Sequence, residues 1–114
     1  MTRNPCNCEF IYRDGVLEVT LQGEIDHHSA KDTMRIIGNK IDLYLPMVCV
    51  LDFRDVTFMD SSGIAIVIHA IRRMRELRGV VRVENVPPQP MKVLKASGME
   101  RIVVIEERSM AHEV

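Results

Sequence analysis

The sequence predicts an α/β fold, with a mixed and mostly parallel sheet of four or five strands and helices packed against it. One observation is the switch along the chain between the two-residue hydrophobic period of strands and the longer period of helices. A second is a nearly continuous apolar run at residues 47–53, typical of a strand buried on both faces of a parallel sheet. A third is size, because 114 residues with 46% hydrophobic content suffice for one core. We expect a single domain over residues 1–114, in the order β-β-α-β-α-β-α-β.

The first two strands are predicted at residues 6–12 and 15–22. Phe10 and Tyr12 alternate with polar neighbours, and Asp14-Gly15 is a dipeptide that favours a tight turn between strands. This hairpin is expected to form one edge of the sheet.

The first helix is predicted after a loop at residues 23–28. Ser29, with Asp32 three residues later, resembles a capping box, and apolar residues recur at helical spacing to about residue 43. We therefore expect the helix to begin near Ser29 and to end before Pro46.

Two histidines and two cysteines raise the question of a metal site. His27 and His28 precede the predicted helix, where solvated side chains are the ordinary outcome, although ligand and proton-shuttle roles stay open. Cys6 and Cys8 supply half of a metal site at most, because no second cysteine pair accompanies them. We expect ordinary thiols in the first strand, no bound metal and no cofactor.

Composition argues against several classes of protein. A net charge of -1 gives no global attraction to nucleic acid or to an anionic membrane. No apolar run approaches the roughly 20 residues of a membrane helix, no signal peptide opens the chain, and three cysteines cannot all pair. We expect a cytoplasmic protein that binds neither nucleic acid nor membrane.

A polar turn at residues 58–63 joins the buried strand to a second helix, predicted at residues 62–77. α/β proteins place their chemistry at such junctions, because hydroxyls and carboxylates there lie beside the unpaired N–H groups of the helix. The apolar face of this helix is expected to contact the sheet; it comprises Ile64, Val67, Ile68, Ile71 and Met74. The opposite face is predicted to carry Ser62, Ile66, His69 and Arg73.

Ile66 is thus predicted to be an apolar residue on the exposed face of the second helix. Such a residue is either incidental or, beside the local arginine cluster, part of a docking ridge. The cluster comprises Arg72, Arg73, Arg75 and Arg78.

The remaining elements are shorter. We predict a strand at residues 80–83, a helix entered through the prolines of residues 87–90 and stopped at Ser97-Gly98, and a strand at residues 101–105. Residues 106–114 are expected to form at most one or two helical turns.

Strands two, three and four are expected to run parallel through right-handed crossovers. The loops that follow strands two and three then emerge at the same end of the sheet. Asp26 and Ser61 should therefore be near neighbours.

Ser61 admits three interpretations. In the first, Asp60 and the serines after it merely cap a helix. In the second, Ser61 is a hydrolase nucleophile with His27 or His28 as base and Asp26 as orienter, but the G-x-S-x-G elbow is absent and the chain has only three Phe, two Tyr and no Trp to line a cleft. Neither nucleotide-binding glycine motif occurs. In the third, Ser61 is itself the substrate of a kinase.

Phosphorylation of Ser61 would add a charge of about -1.5 to -2 at the start of a helix, next to Asp60 and near Asp26. The helix dipole tolerates this charge within the domain. A partner docked on the neighbouring helix face would meet repulsion and a costly desolvation. The sequence therefore predicts a binding surface with a switch.

Three stretches, at residues 23–30 (GEIDHHSA), 58–63 (FMDSSG) and 91–99 (MKVLKASGM), together resemble those of one family. The chain resembles the STAS-domain anti-sigma factor antagonists, most closely the sporulation type that acts on the inhibitor of the forespore sigma factor. The resemblance covers most of residues 14–107 and implies the STAS fold.

The resemblance implies a non-enzymatic, partner-switching module. In such proteins the serine that follows the aspartate, here Ser61, is phosphorylated by an ATP-dependent kinase that is also the anti-sigma factor, and a PP2C-type phosphatase restores it. The unphosphorylated form binds the kinase and frees the sigma factor. The family pattern also marks Asp26 and the helix from Ser62 as partner interface, and Asp60, Ser62 and Gly63 as the rest of the phosphoacceptor turn, with Ser62 a secondary hydroxyl.

Two departures and two alternatives accompany this interpretation. The residues after Glu107 are few for the family's last helix, and the entry at residues 87–90 is rich in proline. One alternative is a STAS module of another signalling or transport complex in which Ser61 is never modified. The other is a small serine or nucleotide hydrolase.

Overall fold

The computed structural model describes residues 7–108, which form a five-stranded sheet and three α-helices. The predicted α/β class and element order are confirmed. The elements are β1 (Asn7–Arg13), β2 (Val16–Ile25), α1 (His27–Tyr44), β3 (Val48–Met59), α2 (Ser62–Glu76), β4 (Val80–Val86), α3 (Pro88–Ala96), a single 3-10 turn (Met99–Arg101) and β5 (Val104–Glu107).

The strands lie in the sheet in the order in which they occur along the chain. β1 is antiparallel to β2, and the hairpin turn has positive φ at Asp14 (55°) and Gly15 (82°), as a tight turn requires. β2, β3, β4 and β5 are mutually parallel, so the expected parallel arrangement of strands two to four is confirmed and extends to the last strand. The carboxyl ends of these four strands therefore meet at one edge of the sheet.

The register places one set of apolar residues in the core. Leu17 pairs with Cys49, which pairs with Val81, and these side chains are 0%, 0% and 6% exposed. They pack in one hydrophobic cluster with residues of α1 and α2 such as Ile37 and Val67. Because side chains alternate along a strand, the residues between them point to the other face of the sheet.

That other face carries charged side chains in the same register. Glu18 pairs with Val50, which pairs with Arg82. Val50 is nonetheless only 8% exposed and Asp52 only 9%. The Asp52 carboxylate accepts hydrogen bonds from Arg54 (2.8 Å) and from the Asn85 amide (3.2 Å), which pays for its burial.

α1 begins two residues earlier than the sequence predicts, at His27. Asp26 is its N-cap, with an extended backbone (φ -129°, ψ -178°) and a carboxylate that accepts from His28 N (2.9 Å) and Ser29 N (3.0 Å). Ser29 Oγ accepts in return from Asp26 N (3.1 Å). The capping box is therefore Asp26 with Ser29, and the predicted pairing of Ser29 with Asp32 is wrong.

Several strand boundaries also differ, since β2 continues to Ile25 and β4 to Val86, each three residues beyond the predicted end. β3 continues to Met59 instead of ending near residue 53, and β5 starts at Val104 because the 3-10 turn occupies part of the predicted strand. Residues 106 and 107 are in β5 rather than in a helical turn, and the rest of the predicted tail, residues 109–114, lies outside the described residues. Over residues 7–108, no helix combines the length and apolar character needed to cross a membrane.

Candidate functional site

The turn between β3 and α2 lies directly beside the start of α1. Ile25, the last residue of β2, pairs with Met59, the last residue of β3, and Asp60 N donates to Ile25 O (3.1 Å). The segments that carry Asp26 and Ser61 therefore lie next to each other, as the parallel topology predicts.

The Asp60 carboxylate organises the turn. Asp60 Oδ1 accepts a short hydrogen bond from Ser62 N (2.7 Å), and Asp60 O accepts from Gly63 N (3.1 Å). Ser61 is the N-cap of α2, yet its backbone is helical (φ -64°, ψ -13°) and its side chain makes no capping hydrogen bond. Ser61 is exposed to solvent at the positive end of the helix.

Gly63 allows the turn to lie close to the end of β3. A Cβ atom at Gly63 would lie 2.2 Å from Sδ and 2.5 Å from Cγ of Met59, whose side chain is fully buried. Only a residue without a side chain fits, since Met59 cannot move out of the core without leaving a void. Packing therefore fixes where α2 begins.

Gln89 holds the other side of the same strand end. Its amide nitrogen donates to Met59 O (2.7 Å), and its amide oxygen accepts from Met59 N (2.9 Å). Gln89 is not among the site residues that the sequence predicts. Its signal is a polar side chain between Pro88 and Pro90 in the first turn of α3, where α3 packs against β3.

The expected exposed face of α2 is in fact the contact with α1. Ile66 is 1% exposed, so the prediction that it forms an exposed docking ridge is wrong. His69 and Arg73 are half-buried against Gly38 of α1, where an added Cβ would lie 2.9 Å from His69 Nε2. Arg73 also forms an ion pair with Asp42 of α1. α2 is buried against the sheet on one face and against α1 on another. The hydrophobic periodicity of α2 predicts only one buried face.

Burial and neighbouring cations lower the pKa of His69. Burial is the largest cause, followed by the charges of Arg73 and Arg72, while Asp42 acts in the opposite direction. His69 Nε2 is buried and has no hydrogen-bond partner among the described residues. The neutral imidazole is thus the form that the contact between the helices favours.

A groove of about 430 Å³ lies between the amino-terminal halves of α1 and α2. Of the predicted interface residues, it contains Ser62, whose side chain is half-buried. The other lining residues are His27, His28, Ala30, Lys31, Met34 and Ala65. Lys31, Met34 and Ala65 are not among the predicted site residues. Their only sequence signal is that they lie in two helices whose first turns the parallel topology brings together.

Two exposed histidines lie at the same edge of the sheet as the Ser61 turn. His27 and His28 are exposed in the first turn of α1, and their rings contact each other edge to face at 5.7 Å. Residues 7–108 contain no group of three or more His, Cys, Asp or Glu side chains that could hold a metal ion. Cys6, half of the C-x-C pair, lies outside the described residues.

Comparison with known proteins gives a consistent result. Residues 8–111 match the model of the STAS domain. The chain is 28% identical over 102 residues to an anti-sigma F factor antagonist from Paenibacillus polymyxa, covering 90% of this chain and 87% of that protein.

Solved structures agree in fold. The anti-sigma factor antagonist SpoIIAA in its unphosphorylated form superposes with a TM-score of 0.77 at 23% identity, over 94% of this chain and 91% of that one. The Bacillus cell fate determinant SpoIIAA in the phosphorylated form gives a TM-score of 0.67 at 24% identity, over 94% and 95%.

Proposed function

The chain belongs to the STAS domain family, and from this premise we propose that it is an anti-sigma factor antagonist controlled by phosphorylation of Ser61. Its unphosphorylated form binds an anti-sigma factor that is also a serine kinase, and thereby releases a sigma factor. Phosphorylation abolishes binding, and a PP2C-type phosphatase restores it. The chain acts as one cytoplasmic domain without catalytic activity, cofactor, nucleic acid or membrane, and ATP belongs to the partner.

The position of the Ser61 hydroxyl is the observation that carries the proposal. It is exposed at the start of α2 while the neighbouring carboxylate of Asp60 bonds the helix N–H of Ser62. A hydroxyl with a capping role would have to break a hydrogen bond to react. Ser61 has no such role, so a phosphoryl group can be added without removing a helix cap.

Charge explains how the modification acts. A phosphate on Ser61 brings about -1.5 to -2 charges to an edge that already carries Asp60 and Asp26. The N–H groups and dipole of α2 accept this charge locally, so the fold stays intact. A partner surface shaped for the unmodified edge meets like charge and unpaired polar groups, which cost several kcal/mol.

We place the partner surface on the groove between α1 and α2 rather than along the seam of Ile66, His69 and Arg73. The groove adjoins Ser61 and combines apolar side chains with exposed polar ones, as at Met34, Lys31 and His28. Asp26 contributes by capping α1, which fixes the first turn on which the histidines lie. Ser62 lines the groove as a contact residue and is not the main phosphorylation site.

Phosphorylation with the cognate anti-sigma factor and ATP tests the proposal. We expect tandem mass spectrometry to locate the phosphate on Ser61, Ser61→Ala to abolish incorporation, and Ser62→Ala to retain it. The Ser62 variant is a matched control because it removes the adjacent hydroxyl from the same turn. Phosphate on Ser62, or no incorporation while the partner still binds, would contradict the proposal and favour a STAS module whose serine is not modified.

A further inference from the structure

An exposed apolar surface lies at the end of the molecule opposite the Ser61 turn. It is formed where β3 and β4 begin, where α1 and α2 end, and where the β1–β2 hairpin turns. We call it the apolar pole; it comprises Tyr12 (39% exposed), Tyr44 (37%), Leu45 (62%), Met47 (72%), Leu77 (36%) and Val80 (54%). By contrast, Phe58 (44% exposed) lies next to the Ser61 turn, and Ile11, Leu43, Ile102 and Val104 are further large hydrophobic residues that are exposed among residues 7–108.

Direct contacts join the elements of the apolar pole. The rings of Tyr12 and Tyr44 stack with their centroids 4.7 Å apart and their planes 11° from parallel. Met47 N donates to Gly15 O (2.8 Å), and Val80 N donates to Met47 O (3.0 Å). The hairpin, the end of α1 and the starts of β3 and β4 therefore lie next to one another at this end of the molecule.

Residues with an unfavourable backbone conformation are concentrated at the same end of the molecule as the apolar pole. Within residues 7–108, four non-glycine residues have positive φ, and three of them, Asp14 (55°), Leu45 (49°) and Arg78 (59°), lie in or next to the apolar pole. Leu45 is the C-cap of α1, with ψ of 55°, at a position where glycine or asparagine is the usual solution. A branched apolar side chain in this conformation is strained, and its exposure means that it gains little from the core.

From these observations we propose that the apolar pole is the interface of a homodimer. Six such side chains together expose on the order of 600 Å², the upper end of what the largest patch of a monomer covers and close to the roughly 800 Å² that each partner buries in a standard interface. A second copy fits because a two-fold axis sets the surface against itself. Both signs of charge are exposed at this end, as Arg13 and Asp14 in the hairpin and Arg78 after α2, so the carboxylate of one copy can meet a cation of the other.

The rest of the fold is compatible with this arrangement. The described chain begins and ends at the other end of the sheet, where Asn7 pairs with Gln22 and Arg108 N donates to Val86 O (2.9 Å). The two Ser61 turns would lie at the outer ends of the dimer. Dimerisation therefore leaves both phosphoacceptor edges accessible and is independent of the proposed switch.

Sedimentation equilibrium of the full chain across a dilution series tests the proposal, with Leu45→Asn as the informative variant. Asparagine tolerates the left-handed conformation, so the variant should unfold at the same or a higher temperature than wild type. We expect its dimer dissociation constant to rise at least about tenfold. Met47→Lys should have the same effect, and Phe58→Ser, which removes an exposed apolar side chain beside the Ser61 turn, should leave the constant unchanged.

Three results would overturn the homodimer. One is a wild-type chain that stays monomeric throughout the dilution series. This holds also if the monomer binds a different protein through these residues. Another is a Leu45→Asn variant that dimerises as tightly as wild type. The third is a loss of dimer in Phe58→Ser alone, which would place the contact at the opposite end.

Discussion

The helices α1 and α2 begin side by side at one edge of the sheet, but their first turns are built differently. At α1 the N-cap residue itself does the capping, through the Asp26 carboxylate and the returning bond of Ser29. At α2 the N-cap residue Ser61 makes no such bond, and Asp60 before it accepts from Ser62 N. The first turn of α1 is capped by the side chain of its own N-cap residue, whereas at α2 the hydroxyl of the N-cap residue makes no capping hydrogen bond.

In the proposed function, this difference assigns stability to Asp26 and regulation to Ser61. A residue that caps a helix cannot be modified without a cost to the fold, whereas an exposed hydroxyl can. The buried contact of Gly63 with Met59 makes the second arrangement tolerable, because packing instead of capping defines where α2 begins.

Gly63→Ala should break the start of α2 and have the largest effect. The new methyl group would overlap Met59 in a filled core, so we expect a loss of about 2 kcal/mol in the free energy of unfolding, measured by urea denaturation. Ser62→Ala, one residue earlier, is the control and should stay close to wild type. A Gly63→Ala protein as stable as wild type would show that packing does not define this helix start.

Asp26→Ala and Ser61→Ala compare the two N-caps directly. Loss of the Asp26 cap should cost about 1 kcal/mol of unfolding free energy, and Asp26→Asn, which keeps an accepting oxygen, should recover most of it. Ser61→Ala should change stability by less than about 0.5 kcal/mol, as for an exposed side chain without a structural role. Equal losses in the two alanine variants would remove the distinction between the caps.

The contact between the two helices should make stability depend on pH. Since burial and the adjacent arginines lower the pKa of His69 in the folded state, the unfolded chain binds this proton more readily. The contribution of the neutral imidazole is therefore present above the ordinary pKa of 6.5 and is lost as the pH falls through the lower pKa of the folded state. His69→Gln should flatten this part of a pH series of denaturation curves.

His28→Gln is the matched control for that series, because it replaces an exposed histidine of the neighbouring helix. It should keep the wild-type pH dependence. The reverse pattern, with the slope lost in His28→Gln and kept in His69→Gln, would place the titration at the groove.

The ion pair between Arg73 and Asp42 should contribute least. Their side chains are 29% and 59% exposed, so solvent weakens the attraction. A double-mutant cycle with Arg73→Ala and Asp42→Ala should give a coupling of about 0.5 kcal/mol. A coupling of several times that size would mean that charge, more than the packing of Gly38 against His69, joins α1 to α2.

The fold could be predicted because its signals are local. The apolar run at residues 47–53 predicts a buried strand, and the Asp14-Gly15 dipeptide predicts a hairpin turn. The parallel topology then brings the segments of Asp26 and Ser61 together. The N-cap of α1 was predicted wrongly for the same reason. The capping-box spacing fits Asp26 with Ser29 as well as Ser29 with Asp32, and only the backbone conformation decides between them.

The parts of the site that could not be predicted depend on contacts between distant segments. Ile66 is buried because α1 approaches α2 at Gly38, and the periodicity of α2 alone does not display that neighbour. Gln89 bonds Met59 from 30 residues away, and no spacing rule connects them. The sequence therefore predicts the Ser61 turn better than it predicts the surface around it.

The most direct test of the account is the affinity of the cognate anti-sigma factor for the chain with and without phosphate on Ser61, measured by calorimetry. We predict binding at least about tenfold weaker for the phosphorylated protein, because like charge at the edge shared by Asp60 and Asp26 opposes docking. The unfolding temperature should change little, since the phosphate displaces no cap. Equal dissociation constants for the two forms would contradict the account.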